Sequence, residues 1–356
     1  MKKKTKITIF LFLIIGLGLI IISLIYIGLM APVDRSSKTK IEVVVEPGMT
    51  SKQIANLLEE REVIKSSSFF LVYLKFNKCA SLKATTYEFS KSMNLEDIVD
   101  VLCKGNSRNN NIVKVTFKEG KRITDFANVI SKNFNISYDE VISIMNDKTY
   151  LEELIEQYWF LTDEILNKDI YYPLEGYLAP DTYEFHKNSS VKEIVEVLLD
   201  QTASNLKQYK DTIEQSGNSV HHYITLASLA ELEGLNSKDR KMIVGVFNNR
   251  LKKGMNLGSD VTTYYAFQKP MTSDLTAVEF RTSNPYNTRA IDMAGRLPVG
   301  PICSVSKISI EASVMPTSSS YLYFVADKNG KIYYNTTNSE HEKTIKEIKE
   351  AGNWIW

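Results

Sequence analysis

The apolar run from Ile7 to Val33 contains no charged side chain. Because a bilayer core about 30 Å thick is spanned by about 20 apolar residues in a helix, this run predicts a transmembrane helix. The lysines at positions 2, 3, 4 and 6 precede it and favour a cytoplasmic N-terminus. A cleaved signal peptide is the alternative, but its apolar region is only about 7–15 residues long. The sequence therefore predicts a single-pass anchor in the cell membrane, with the rest of the chain extracytoplasmic.

Charge and cysteine content exclude several classes of protein. The 43 Lys and Arg residues balance 42 Asp and Glu residues, whereas a nucleic-acid-binding protein is expected to carry a strongly basic face. Cys79, Cys103 and Cys303 are too scattered for a metal knuckle or a redox pair. Cys79 and Cys103 are able to pair in an oxidising compartment, although burial is the expected role of each. The histidines show no spacing typical of metal ligands, so neither a metal nor a cofactor is predicted.

Hydrophobic periodicity and polar breaks predict an α+β chain in several segments. The boundaries are a cytoplasmic tail at 1–6, a transmembrane anchor at 7–33, a linker at 34–40, a small strand-helix module at 41–106, a helical connecting region at 107–220 and a mixed α/β domain at 221–356. A glycine turn joins a strand to a helix near Gly48 and again near Gly120, which indicates either a repeat or two unrelated units. Residues 191–215 predict one long helix. Lys328-Asn329-Gly330 lies between two β-rich runs and predicts a C-terminal hairpin.

Two glutamates interrupt a segment that is apolar on nearly every side. The residues from Ile224 to Leu232 predict a buried helix, and Gly234 predicts its end. A carboxyl on such a helix has a raised pKa because burial disfavours its charged form, which suits a general acid. Glu231 and Glu233 are about 200° apart around the helix, so at most one faces a substrate. The alternative is that both lie on the solvated end of the helix.

Polar residues that follow this helix are candidates for sugar binding. Asn248 and Arg250 flank the buried stripe of the next predicted helix. The turns around Ser259-Asp260-Val261-Thr262 and Asn284-Pro285-Tyr286-Asn287 add further hydrogen-bonding groups, and the ring of Tyr286 is able to stack on a sugar. The alternative is that these residues only build turns and helix edges.

The order of these motifs resembles the YceG-like family of endolytic murein transglycosylases. The matching segments are Leu226-Ala227-Ser228-Leu229-Ala230-Glu231-Leu232-Glu233, then Val244 to Thr262, Pro285-Tyr286-Asn287-Thr288, Leu297 to Ile302, and Tyr321 to Ala326. Upstream, Glu175-Gly176-Tyr177 and Pro180-Asp181-Thr182 match another family motif.

The resemblance implies a fold, an activity and a set of site residues. It implies that residues 41–106 form a LysM-like module and that Glu231, the first glutamate of the pair, is catalytic. It adds Glu233, Glu175 and Asp181 to the candidate substrate-binding residues. The chain departs from the family pattern at Gly258, Val261 and Arg289, where glutamine, proline and an aromatic residue are usual. The loop from 290 to 296 is slightly longer, which, together with Arg289, makes the loop 289–296 a candidate for altered strand recognition.

The expected reaction is cleavage of the bond between N-acetylmuramic acid and N-acetylglucosamine within nascent peptidoglycan strands. A single acid-base, Glu231, first protonates the glycosidic oxygen and then deprotonates the C6 hydroxyl, which closes a 1,6-anhydro ring and terminates elongation. The internal nucleophile makes a second carboxylate unnecessary. One alternative is a muramidase-type hydrolase with Asp260 as the second carboxylate. The other is a non-catalytic wall-binding scaffold. The expected partners are glycan strands, the membrane and peptidoglycan synthases of the penicillin-binding class.

Overall fold

The computed structural model describes residues 16, 18, 20–37, 39–76, 81–105 and 112–354. These residues divide into two compact units, one ending at Asn111 and one beginning at Ile112. The molecule is mostly helical and contains three two-stranded antiparallel sheets within the described residues. The predicted α+β class is therefore confirmed.

The first unit contains helix α1, formed by residues 20–30, and one sheet. Its other elements are β1 (Lys40–Val45), α2 (Ser51–Glu60), α3 (Ser67–Phe76), β2 (Thr85–Ser90) and α4 (Leu95–Lys104). Strand β1 pairs antiparallel with β2, and Val43 lies opposite Tyr87. Both side chains are buried in one hydrophobic core with Leu58 and Phe70. The LysM-like assignment of this unit stays a prediction.

The predicted anchor falls partly outside the described residues. The tail at 1–6, residues 7–15 and residues 17 and 19 are not among them. No helix within the described part of the chain combines the length and the hydropathy that a bilayer crossing requires. The anchor therefore stays a prediction. Cys103 is disulfide-bonded, and Cys79 lies outside the described residues.

The second unit carries the remaining elements. They are β3 (Ile112–Thr116), α5 (Ile123–Asn133), α6 (Tyr138–Met145), α7 (Lys148–Gln157), β4 (Thr182–His186), α8 (Val191–Leu206), α9 (Lys210–Ser216), α10 (Val220–Glu233), α11 (Ser237–Lys252), α12 (Asp260–Ala266), α13 (Ala277–Arg281), α14 (Lys307–Val314), β5 (Tyr323–Ala326), β6 (Ile332–Asn335) and α15 (Asn338–Glu350). One hydrophobic core runs from Val115 through Leu198 and Ala227 to Ile310. The segments predicted as a connecting region and a catalytic domain therefore share a core.

One local prediction is confirmed, and one is wrong. Strands β5 and β6 pair as the expected hairpin, with Val325 opposite Tyr333. Ser137 caps α6, since its side chain accepts a hydrogen bond from the Glu140 amide. The long helix expected over 191–215 is broken, because residues Lys207–Tyr209 tighten into a 3-10 turn between α8 and α9.

The two strand-turn-helix segments have the same layout. Strands β1 and β3 each lead to a glycine with positive φ, Gly48 at 91° and Gly120 at 69°. Helices α2 and α5 then begin three residues after those glycines. Each of the strands pairs antiparallel with a strand that follows later in its own unit, β2 or β4. The observed layout agrees with the repeat hypothesis in its local structure.

Candidate active site

Helix α10 is the element that carries both candidate glutamates. All its residues from Tyr223 to Glu231 are buried, as its apolar composition predicts. Ser219 caps its start by accepting a hydrogen bond from the His222 amide. The helix ends at Gly234, whose backbone is extended rather than left-handed. Glycine is needed there for another reason, because an added Cβ would lie 2.6 Å from Cγ of Arg240 and 3.0 Å from its backbone nitrogen.

Arg240, in the first turns of α11, folds back over the end of α10. Its Nε donates a hydrogen bond to the Gly234 carbonyl oxygen at 3.0 Å. Its Nη2 lies 2.8 Å from Glu231 Oε1, and the Glu231 side chain is only 2% exposed. A cation near the C-terminal end of a helix is also favoured by the helix dipole.

Glu231 has a second partner in Ser306, the N-cap residue of α14. Its Oε2 accepts hydrogen bonds from the Ser306 amide at 2.9 Å and from the Ser306 hydroxyl at 2.7 Å. Arg240 donates to the same hydroxyl at 2.8 Å. The carboxylate therefore ties α10, α11 and α14 together. The Glu231 carboxylate is therefore covered and engaged by protein groups, and the catalytic role predicted for it stays a prediction.

Glu233 lies on another side of the helix and has different surroundings. It is half-buried, and its carboxylate accepts a hydrogen bond from the Ser259 hydroxyl. Burial raises the pKa of this carboxyl above its usual value. The Ser259 hydrogen bond opposes that shift, whereas the negative charge of Asp260 adds to it. The positive charges of Arg289 and Arg250 lower the pKa again by smaller amounts. Glu233 is thus a partly accessible carboxyl that holds its proton more tightly than a solvated glutamate.

Asp260 and Arg289 form an ion pair beside Glu233. Arg289 Nε lies 2.5 Å from Asp260 Oδ1, and both side chains are partly exposed, at 37% and 47%. Burial raises the pKa of Asp260, and Arg289 lowers it. The guanidinium also lies 4.7 Å from the centre of the Phe280 ring. Two carboxyls and one arginine therefore share this partly open region.

A set of hydrogen bonds fixes the loop that carries Ser259. The Ser259 amide donates to Thr288 Oγ1 at 3.1 Å, and the Thr288 amide donates to Thr262 Oγ1 at 3.1 Å. The Thr262 hydroxyl in turn donates to the Ser259 carbonyl at 2.6 Å. Thr262 is fully buried, so it positions Ser259 rather than touching a substrate. Gly258 has a φ of 63°, and an added Cβ would lie 3.1 Å from Arg250 Nη1.

Tyr286 and Asn287 do not take the roles predicted for them. The Tyr286 ring is 0% exposed and packs between Tyr171 and Tyr265, so the prediction that it stacks on a sugar is wrong. Asn287 is also 0% exposed. Its Oδ1 accepts a hydrogen bond from Thr263 Oγ1 at 2.7 Å, and its amide donates to the Thr282 carbonyl at 2.8 Å. Both residues are buried, and their contacts hold the loops beside the site in place.

Arg250 and Asn248 lie on α11. Arg250 Nη1 donates to the Leu257 carbonyl at 2.6 Å, and its Nε donates to the Leu322 carbonyl. It therefore joins the Ser259 loop to the hairpin, while its charge reaches Glu233. Asn248 is half-buried, and its role in substrate binding stays a prediction.

Glu175 and Asp181 form no hydrogen bond with the cluster around Glu233 within the described residues. Glu175 is 2% exposed and accepts hydrogen bonds from the Ile123 amide at 3.0 Å and from the Tyr265 hydroxyl at 3.0 Å. Burial raises the pKa of Glu175 to about 8. This residue cannot contact a sugar, because the protein covers it. Asp181 is exposed and accepts a hydrogen bond from the Thr182 amide at the start of β4.

The structure thus brings together Glu233, Arg250, Ser259, Asp260 and Thr262 from the predicted set, and it adds Arg289. Arg289 was singled out in the sequence only as a departure from the family pattern. Arg240 and Ser306 were not predicted, because their importance depends on contacts between helices that are distant in sequence. Among the described residues no group of three or more His, Cys, Asp or Glu side chains is arranged to hold a metal ion.

A buried helix that ends in two glutamates, followed by a fixed polar loop, defines the candidate site. The YceG-like family model matches residues 43–347, and the chain belongs to this family.

Relatives with assigned names support the same conclusion. The chain is 34% identical over 318 residues to a protein of Bacillus subtilis named endolytic murein transglycosylase, a match that covers 89% of this chain and 87% of that protein. It is 31% identical over 332 residues to a protein of the same name from Streptococcus pneumoniae. That match covers 89% of this chain and 60% of the longer relative. The crystal structure of a YceG-like protein from Listeria monocytogenes is 35% identical and superposes with a TM-score of 0.61, over 86% of this chain and 100% of that one.

Proposed function

We propose that this chain is an endolytic lytic transglycosylase of peptidoglycan in which Glu233, rather than Glu231, is the acid and base. The observation that carries the proposal is the half-buried Glu233 carboxyl, whose pKa is raised by burial and which the Ser259 hydroxyl orients. The names of the Bacillus and Streptococcus relatives support the substrate and the type of reaction.

The surroundings of each glutamate decide between them. Both oxygens of Glu231 are engaged by protein groups, since it accepts hydrogen bonds from the Ser306 amide and hydroxyl and is paired with Arg240. Glu233 forms no ion pair within the described residues, and burial and the nearby Asp260 raise its pKa. A general acid must hold a proton that it is able to give, which favours Glu233.

The proposed reaction uses the same carboxyl twice. Protonated Glu233 donates its proton to the oxygen that links N-acetylmuramic acid to N-acetylglucosamine, and that bond breaks as positive charge develops at the anomeric carbon. The Ser259 hydroxyl stabilises the carboxylate that results, because it donates a hydrogen bond to it. The carboxylate then removes the proton from the C6 hydroxyl of the muramic acid, whose oxygen bonds to the anomeric carbon. The products are a 1,6-anhydro end and a free N-acetylglucosamine hydroxyl.

The nearby Asp260 favours a muramidase-type hydrolase as the second candidate function. Its charge raises the pKa of Glu233, so the two carboxyls are electrostatically coupled. A second carboxylate is what a hydrolase needs to position water or to stabilise the developing cation. However, the ion pair with Arg289 already engages one oxygen of Asp260, which makes it less available as a base. We therefore keep lytic transglycosylation as the first proposal.

We also propose that the N-terminal segment anchors the enzyme in the cell membrane, with the catalytic unit outside the cell. The charge pattern around residues 7–33 supports this, and so do the exposed apolar side chains of Ile22, Leu24 and Ile27 in α1 (64%, 63% and 60% exposed). An anchor would confine cleavage to newly made strands near the membrane, beside peptidoglycan synthases.

Product analysis tests the reaction. The full-length chain, solubilised in detergent, is incubated with purified glycan strands, and the ends are analysed by mass spectrometry. Anhydro ends are expected from the wild type and none from Glu233→Gln. Reducing ends in place of anhydro ends would show the hydrolase, and undiminished product from Glu233→Gln would refute the assignment of the acid. Binding without any product would support the alternative of a non-catalytic wall-binding protein.

A further inference from the structure

A groove in the second unit lies outside the site described above. It has a volume of about 360 Å³ and is formed by the end of β3, the turn that follows it and one face of α5. We call it the basic groove. Its lining residues are Thr116, Lys118, Lys121, Asp125, Phe126, Asn128, Val129 and Lys132. The groove is large enough to admit part of a polymer side chain.

The charges in the basic groove are strongly biased. Lys118, Lys121 and Lys132 are exposed, and none of them forms an ion pair with a carboxylate in the part of the chain that the structure describes. Asp125 is the acidic residue of the lining, and its carboxylate accepts a hydrogen bond from the Arg122 amide at the start of α5. Three lysines against one aspartate leave two positive charges in excess, and a cleft lined by one sign of charge concentrates ions of the opposite sign.

The basic groove adjoins the end of the helix that carries Glu233. The Gly120 amide, in the turn between β3 and α5, donates a hydrogen bond to the Ser304 carbonyl at 3.0 Å. A Cβ added to Gly120 would lie 3.4 Å from Leu232 Cδ2. Leu232 precedes Glu233 and is about 100° away from it around the helix. A polymer that passes Glu233 can therefore extend over Leu232 towards the lysines.

We propose that the basic groove binds carboxylate groups of the peptide stems that peptidoglycan strands carry. This inference rests on the proposed function, because it takes the strand as the ligand. The sugars of the strand offer hydroxyl and amide groups, whereas the lactyl-linked peptides supply carboxylates at regular intervals. An enzyme that cuts within a strand must hold it on either side of the bond that breaks. Salt bridges at the three lysines would hold the strand beside the cut site and set its register against Glu233.

The test measures binding rather than cleavage. The full-length Glu233→Gln chain in detergent is titrated with fluorescently labelled strands that either keep their peptide stems or have lost them to an amidase. The variant Lys118→Gln/Lys121→Gln/Lys132→Gln is compared with the matched control Lys187→Gln/Lys207→Gln/Lys252→Gln. The control lysines are exposed, lie in the same unit and do not line the basic groove. Replacement of the three groove lysines by arginine tests whether charge alone restores binding.

The expected result is a loss of about fivefold or more in affinity for strands with stems in the groove variant, because three exposed ion pairs of modest strength are lost together. Stripped strands should bind this variant and its parent equally, and the arginine variant should recover. Added salt should reduce the difference between the two kinds of strand, because it screens exposed charges. Equal losses for intact and stripped strands, or no loss at all, would overturn the proposal. Because the readout is binding, failure of the proposed reaction, including cleavage by the Glu233→Gln chain, would appear separately, in the product analysis.

Discussion

Arg240 Nη2 lies 2.8 Å from Glu231 Oε1 at the point where α10, α11 and α14 meet. Both side chains are almost completely covered, at 10% and 2% exposed. The two glutamates of the family motif therefore have different surroundings. Glu231 joins the three helices through its contacts, whereas Glu233 accepts a hydrogen bond from Ser259, where the polar loop begins.

The first prediction is that substitution of the two glutamates has opposite effects. Glu231→Gln should lower the free energy of unfolding by about 3 kcal/mol, because it leaves Arg240 without its buried counter-ion. Glu233→Gln should leave stability unchanged or slightly higher, since it removes a carboxyl that burial already disfavours as an anion. Thermal and urea unfolding of the full-length chain by circular dichroism provides the measurement. A stable Glu231→Gln protein without activity, beside an active Glu233→Gln protein, would reverse our assignment.

The second prediction concerns the pH dependence of cleavage. Arg289 lowers the pKa of Glu233, so Arg289→Gln should raise it. The acid is active when protonated, and the rate therefore falls as pH rises through this pKa. The alkaline limb of the kcat profile should move to higher pH in the variant. Arg281→Gln is the control, because Arg281 is exposed and forms no ion pair within the described residues. A limb that does not move, or one that moves to lower pH, would contradict Glu233 as the titrating acid.

The third prediction is that Gly234→Ala is destabilising although its backbone is not left-handed. The added Cβ would lie 2.6 Å from Arg240 Cγ and 3.0 Å from its nitrogen, so α11 must shift. Overpacking of this kind costs about 1–3 kcal/mol. The loss should shrink in an Arg240→Ala background, where part of the clash is absent. Strictly additive losses in a double-mutant cycle would show that the two residues do not interact in this way.

The fourth prediction concerns stability and Glu175. Its pKa in the folded protein is about 8, above the usual value of 4.5. A group whose pKa rises on folding stabilises the protein below its unfolded pKa, and this contribution is lost as pH rises through the folded value. The free energy of unfolding of the wild type should therefore fall between about pH 4.5 and 8. Glu175→Gln should flatten that part of the curve. Parallel curves for the two proteins would show that Glu175 is not buried in its neutral form.

The sequence predicts the elements of this fold better than their contacts. The apolar run from Ile224 to Leu232 predicts a buried helix, and α10 is one. The hairpin around Asn329 follows from turn composition. By contrast, the separation of nine residues between Glu231 and Arg240 does not predict that the turn after α10 brings their side chains into contact. Ser306 is still farther along the chain, so its two hydrogen bonds to Glu231 depend on how α14 packs.

Candidate binding residues are the hardest to predict from sequence, because polar side chains also stabilise loops inside the protein. Tyr286, Asn287 and Thr262 match family motifs and lie near the site, but all three are fully buried. Their hydrogen bonds fix loops instead of meeting a ligand. Arg289 shows the opposite case, since it departs from the family pattern and yet lies beside Asp260. Whether a polar side chain is buried inside the protein or exposed to a ligand depends on packing between segments that are distant in sequence.

The two glycine turns differ in their surroundings. Around Gly48 no heavy atom of the described residues lies within 4 Å of an added Cβ, so only its φ of 91° limits substitution. At Gly120, whose φ is 69°, an added Cβ would meet Leu232 Cδ2 at 3.4 Å, an ordinary van der Waals contact. Backbone conformation rather than space is therefore what demands glycine at both turns, and asparagine, which tolerates positive φ, is the replacement expected to cost least at either one.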